Sequence, residues 1–159
     1  MRTRADLQED FVARFHLGGK RKLVTAQQLD VLEKALRTKL PIAYRQFMIR
    51  HGVVHSQGIL DEIVGKELEH PDVQDFLEPH QAIEDTKAYW EAGMPENVIG
   101  VASDCMGNII GFHRQDSCTD DAPVVFFDHD FVEVNEIAPS FDEFLGWYLE
   151  HLHGKLSSG

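Results

Sequence analysis

The sequence predicts an α+β fold: a twisted, antiparallel-rich sheet packed by helices in a single domain. Three observations carry that prediction. Residues 24–52 hold two short helical apolar stripes divided by Leu40-Pro41. Four short β-rich segments follow one another between residues 98 and 137, separated by turn-forming residues. A last segment from Ser140 returns to helical spacing. Helices, then consecutive strands, then a helix is an α+β order rather than the alternation of an α/β protein.

Each element has its own local reason. Leu7, Phe11 and Phe15 sit at helical spacing, Gly18-Gly19 ends the pattern, and Lys20, Arg21 and Lys22 form a short basic link. Residues 1–22 therefore read as an added N-terminal helix and linker, residues 23–153 as the domain, and residues 154–159 as a tail. Thr25 and Gln28 form a capping box, with Val24 and Leu29 placed for a hydrophobic staple. Leu29, Leu32 and Leu36 then share one face. Leu40 precedes a proline and is pushed out of the α region, and Pro41 can open the next helix as its first residue. Tyr44, Phe47 and Met48 make the second stripe, with Gly52 as its C-cap.

Further along, residues 58–64 read as a short extra strand, and Pro71 forbids a helix through 66–77. Residues 80–92 read as a helix with Ile83 and Tyr89 or Trp90 inward, ended by Gly93 and Pro95. Segments 98–102, 109–113, 124–128 and 131–137 are the predicted meander, joined in part by the turn residues Ser103, Asp104, Gly107 and Asn108. Ser140 and Glu143 form a second capping box. Phe141, Phe144, Leu145, Tyr148 and Leu152 supply a stripe broad enough to cover one sheet face.

Composition narrows the function. A chain of 159 residues can bury one sizeable core. No apolar run approaches the roughly 18 residues a membrane span needs. The first residues carry acids where a signal peptide needs an apolar core, so the expected location is cytoplasmic, with no membrane partner. Cys105 and Cys118 fall at opposite ends of one predicted strand and read as free loop thiols. The formal net charge of −12 is polarised: residues 1–50 sum to +6 and residues 51–159 to −18. No lysine or arginine lies between Arg114 and Lys155, where ten acids fall. Nucleic acid is a poor partner for that half, because phosphate contacts need basic side chains. A basic protein is a better one, since an acidic field attracts it and speeds its association.

Three separated segments carry a resemblance. They are LEKALRTKLPIAYRQFMIRHG, then ENVIGVASDCMGNIIGFH with PVVFFDHD, and finally APSFDEFLGWYLE. In this order and spacing they resemble the SUKH superfamily of Smi/Knr-like proteins over roughly residues 23–153. The resemblance implies the same α+β fold and no catalytic residues or cofactor. Many bacterial members look like immunity proteins that bind and neutralise a cognate toxin, often a nuclease or deaminase, and fungal members resemble regulators of cell-wall synthesis. An immunity protein is therefore the first implied function, and a regulatory or scaffold domain without a toxin partner is the alternative. The chain departs from the commoner pattern at His51, where an Asn usually precedes the glycine, at Cys105-Met106, and in the extra first helix.

Catalysis finds little support in the residues. Asp104, Asp128, His129 and Asp130 would share one end of the meander, where they could hold a cation, but Asp and Asn are also simply what turns prefer. His51 and His55 flank Gly52, and His151 and His153 point in nearly opposite directions along a helix. No nucleophile elbow, P-loop, H-E-x-x-H or paired C-x-x-C is present. The same acids suit a protein partner better. Asp104, Asp128 and Asp130 would gather at one sheet end, and Asp116, Asp120 and Asp121 at the other, near Glu136. With Glu133, the six aspartates are the partner-binding candidates, a track of carboxylates for the Lys and Arg of a basic toxin. An apolar groove flanked by Trp90 or Trp147 is the competing interface, and the residues leave both open.

Overall fold

The computed structural model describes residues 2–157. Helix α1 (Arg4–Phe15) is capped by Thr3, whose hydroxyl accepts from the Asp6 N–H. Helix α2 (Ala26–Leu36) begins at the predicted capping box: Thr25 accepts from the Gln28 N–H at 3.2 Å, and the Gln28 side chain accepts from the Thr25 N–H at 2.9 Å. Val24 and Leu29 are both buried, as the staple requires. Pro41 stands one place before α3 (Ile42–His51) rather than inside it, because its ψ of 146° is still extended. Gly52 closes α3 with a φ of 77°, and a Cβ there would run into the Lys22 carbonyl.

Two further elements differ from expectation. Residues 58–64 are not a strand: α4 (Ile59–Gly65) occupies them, with Ile59 and Ile63 one turn apart on its buried side. A strand would put Asp61 on the same face as Ile59 and Ile63, whereas the helix carries Asp61 outward into solvent. The short extra strand lies later, as β1 (Asp75–Phe76). Helix α5 (Pro79–Glu91) buries Ala82 and Thr86 most deeply, while Ile83, Tyr89 and Trp90 are half-buried around them.

The sheet is antiparallel throughout, in the order β1-β2-β3-β4-β5, with β2 (Val98–Ser103), β3 (Ile109–His113), β4 (Val124–Asp128) and β5 (Glu133–Ala138). The last strand starts two residues later than predicted, so Phe131 and Val132 belong to the turn before it. Gly100 and Gly111 face each other across β2 and β3. At Gly111 a Cβ would collide with the Ile99 carbonyl, and at Gly100 the free space admits the buried Thr86 hydroxyl, which accepts from the Gly100 N–H at 2.9 Å. Helix α6 (Phe141–His151) is capped by Ser140, which accepts from the Glu143 N–H at 3.0 Å. Its expected capping box is half made: the Glu143 carboxylate meets the Ser140 hydroxyl instead of the backbone N–H.

Both sheet faces are covered. Val98, Ile109, Val125 and Phe127 form a small cluster with Met94 under Tyr89 and Trp90 of α5. Ile99, Ile110, Phe112 and Val124 join the main core with α1, α2, α3 and α6. The first helix is part of that core. The Phe11 ring centroid lies 5.1 to 6.3 Å from those of Phe15, Phe47, Phe76 and Tyr148. Among the described residues, no helix is long and apolar enough to cross a membrane.

Three histidines, His16 and His51 buried and His70 half-buried, sit where the charged form is disfavoured. Burial lowers the pKa of His16, assisted by Arg21, Lys155 and His55; of His51, assisted by Arg21 and Arg50; and of His70, assisted by His151. His16 shows why in detail. One ring nitrogen accepts from the His55 N–H at 3.1 Å and the other donates to the Gly19 carbonyl at 2.7 Å, so a second proton would break the first bond. A folded pKa below the unfolded value of about 6.5 gives stability that is whole above that pH and is lost as pH falls towards the folded value. Asp72, Asp85 and Asp142, whose pKa values burial raises, act in the opposite sense but in the carboxylate range. The urea midpoint should therefore fall between pH 7.5 and pH 5.5. An unchanged or higher midpoint at pH 5.5 would refute this account.

Candidate functional site

The candidate acids separate into two groups at opposite ends of the sheet, and the protein treats them differently. At the end beyond β3, most of the negative charge is answered from within. Arg4 of α1 grips Asp120 with two hydrogen bonds, at 2.9 and 2.7 Å, and donates from Nε to Asp142 at 2.9 and 3.1 Å. The bond to Asp120 and the charge of Asp142 raise the Arg4 pKa against the pull of desolvation, and Arg4 lowers that of Asp120 in return. Asp121 accepts from the N–H groups of Phe141 and Asp142 at 2.7 and 3.1 Å, capping the start of α6 from outside the helix. Asp116 is exposed but shares a cleft of about 450 Å³ with Lys34, Arg37 and Lys39. Glu136 is exposed on β5, facing Val125 in register.

At the other end, the β2–β3 and β4–β5 turns stand side by side. Asp104 is 8% exposed and is spent within its own turn. One of its oxygens accepts from the N–H groups of Met106 and Asn108 at 2.9 and 2.8 Å, and the other accepts from the Asn108 amide at 2.9 Å. Asn108 then reaches across: its side-chain oxygen accepts from the His129 N–H at 3.0 Å and meets the His129 ring at 2.6 Å. Tyr89 donates to the Gly107 carbonyl at 2.5 Å from the α5 side. The two turns are therefore tied into one rim, with Asp104 as its internal brace.

Asp128, Asp130 and Glu133 ring this end. Asp128 accepts from the N–H groups of Asp130 and Phe131 at 2.9 and 3.2 Å, a side-chain turn that leaves its other oxygen without a hydrogen bond among the described residues. Asp130 and Glu133 are exposed, and Asp130 lies 3.4 Å from Nε2 of the His129 ring. Between the acids stand three apolar side chains in the open: Phe131 is 75% exposed, Met106 67% and Val132 57%. Val132 also holds a φ of 53°, a left-handed conformation that costs a β-branched residue about 1–2 kcal/mol. Strain of this kind persists where the surrounding structure over-determines it, often at functional positions.

Sequence reasoning missed the apolar half of the rim. It placed Phe131 and Val132 in a strand because aromatic and β-branched residues favour strands. The available signal was Asp128, whose side chain prefers to accept from N–H groups two and three residues on and so extends the turn through Phe131. The tryptophan-flanked groove is engaged by the chain itself. Trp147 is stacked against His70 at 3.7 Å and His151 at 4.4 Å, and the two rings occupy its faces. Trp90 donates to the Val98 carbonyl and carries the Arg114 guanidinium 5.5 Å above its ring. A cleft of about 620 Å³ lies by β1, where His55 pairs with Asp75 at 2.6 Å and Lys22 with Glu78 at 2.5 Å beside Asp85. Among the described residues, no group of three or more His, Cys, Asp or Glu is placed to hold a metal ion. Both cysteines are free, and burial together with Asp72 raises the Cys105 pKa, opposite to what a nucleophile needs.

The model of the SMI1 / KNR4 family (SUKH-1) matches residues 23–147, from the approach to α2 to the middle of α6. No curated protein matches the chain.

Proposed function

This chain belongs to the SMI1 / KNR4 family (SUKH-1), and from that premise we propose that it is a non-catalytic protein-binding module, an immunity protein that neutralises a basic nuclease or deaminase toxin by covering it. The observation that carries this reading is the rim: Phe131, Val132 and Met106 stand in solvent among Asp128, Asp130 and Glu133. Apolar anchors surrounded by one sign of charge are what a specific protein interface needs. The buried aromatic supplies affinity, and the charges steer the encounter and reject wrong partners. Asp120 and Asp121 are assigned to the molecule's own cohesion in this reading because Arg4 of α1 pairs with both, and Asp116 with them because its cleft is shared with Lys34, Arg37 and Lys39 as well as Asp30 and Glu33.

The test is co-expression with basic nuclease and deaminase toxin domains, followed by affinity measurement on any pair that restores growth. The wild-type protein should rescue growth and form a stable complex whose association slows as salt rises. The charge reversal D128K/D130K/E133K should weaken that complex at least 100-fold. F131A should weaken it about 30-fold, the equivalent of roughly 2 kcal/mol for an aromatic anchor. F131A should keep the wild-type urea midpoint, since its side chain lies in solvent, whereas the reversal also removes the Asp128 oxygen that accepts from the Asp130 and Phe131 N–H groups and should lower the midpoint modestly. If no toxin domain is captured and growth is never rescued, the immunity reading fails. If a toxin is captured but the reversal leaves its affinity intact, the rim is not the interface.

A further inference from the structure

The two edges of the sheet are finished differently. Beside β1 runs the segment 54–56. Ser56 donates its N–H to the Gln74 carbonyl at 2.8 Å, Phe76 donates to Val54 at 3.0 Å, and His55 bridges to Asp75. That edge is closed by the chain itself. At the other edge, β5 pairs with β4 along Glu133–Ala138 and, among the described residues, pairs with no strand on its outer side. Its regular stretch, Glu133–Glu136, spans roughly 13 Å before the register shifts at Ile137. A row of unpaired N–H and C=O groups of that length is a template for another strand.

The charge on this edge limits what can use it. Proteins protect open edges with lysine, proline, bulges or inward charges. Within β5 the charged residues are Glu133 and Glu136, both exposed, with no lysine or proline among them, and the register with β4 shifts at Ile137, so the regular edge is Glu133–Glu136. Two copies of β5 side by side would bring these carboxylates together, and like charges on paired strands are destabilising. A strand bearing Lys or Arg would meet them favourably. Phe131 and Val132, at the start of the same edge, would give that strand an apolar anchor.

We propose that β5 is a docking edge on which an extended, basic segment of the partner protein adds as a sixth strand. The inference rests on the protein-binding reading above and specifies how the partner is held: backbone hydrogen bonds supply registry, and the acids select the charge of the added strand.

The test uses a capped nonapeptide of alternating lysine and valine as the probe. Its twin is methylated on every backbone nitrogen and so keeps the charge without an N–H to donate. Amide exchange followed by NMR should show outward-facing β5 amides slowed at least tenfold by the parent peptide, with the β1 amides unchanged. The methylated twin should bind at least tenfold more weakly than the parent. The exposed double substitution E133K/E136K should weaken the parent at least tenfold without moving the urea midpoint. Equal binding of the two peptides, or no slowing in β5, overturns the proposal. So does a wild-type dimer whose β5 amides are already protected. A toxin that is captured through the rim without protecting β5 also overturns the docking edge while leaving the immunity reading standing. Peptide pairing on β5 with no toxin ever captured supports the edge and counts against immunity alone.

Discussion

Phe11→Ala is expected to destabilise the protein by about 3–5 kcal/mol, the range for deleting a fully buried phenylalanine. The residue lies outside the segment that matches the family, on a helix the sequence reads as an addition. Its surroundings make it central. The ring is fully buried and meets Phe15 of its own helix, Phe47 of α3, Phe76 of β1 and Tyr148 of α6. Four elements thus converge on one side chain, and none can collapse into the space without leaving its other contacts. Beside it, Gln8 donates to the Ala43 carbonyl at 2.8 Å, and Arg14 donates to the Leu149 carbonyl at 2.8 Å. A domain of this size has only about 5–15 kcal/mol of net stability, so the loss is a large share of the whole. In thermal unfolding it should appear as a fall of about 10–15 °C. A loss below about 1 kcal/mol would show that α1 is a detachable appendage.

Much of this was legible in the sequence, and the reasons differ by element. The α2 start was readable because Thr25 and Gln28 act only on each other, three residues apart. Strands β2 to β4 were readable because Val, Ile and Phe runs are bounded by Gly, Asp and Asn. The 58–64 segment was not, because Ile59 and Ile63 share a face in a helix and in a strand alike, and in so short a segment the surroundings decide. Arg4 shows the larger limit. Its partners Asp120 and Asp142 are more than a hundred residues away, so no local pattern reveals that the far acidic cluster is answered by the basic half. Charge asymmetry pointed to an external partner for both sheet ends. The fold answers much of one internally and leaves the other exposed.

Asp104→Ala is expected to cost about 3 kcal/mol and to disorder the rim without touching it directly. The carboxylate accepts three hydrogen bonds, two from backbone N–H groups inside the turn. Charge-assisted bonds of this kind contribute about 1.5–3 kcal/mol each, and their sum is reduced because water can reach part of an opened turn. The side chain also holds Asn108, which in turn holds His129 and so the start of the next turn. Against this stands a relief: Asp104 raises the pKa of the neighbouring Asp72, after burial, so its removal eases a carboxylate repulsion. Asp104→Asn separates these effects. It keeps an acceptor for the turn and removes the charge, and should cost no more than about 1 kcal/mol. The same variant decides what the residue is for. If Asp104 is a brace, D104N should bind the partner with wild-type affinity while D104A weakens it through the loosened rim. A tenfold loss in D104N with an unchanged urea midpoint would mean that the charge itself reaches the partner, and that the brace is only half of its role.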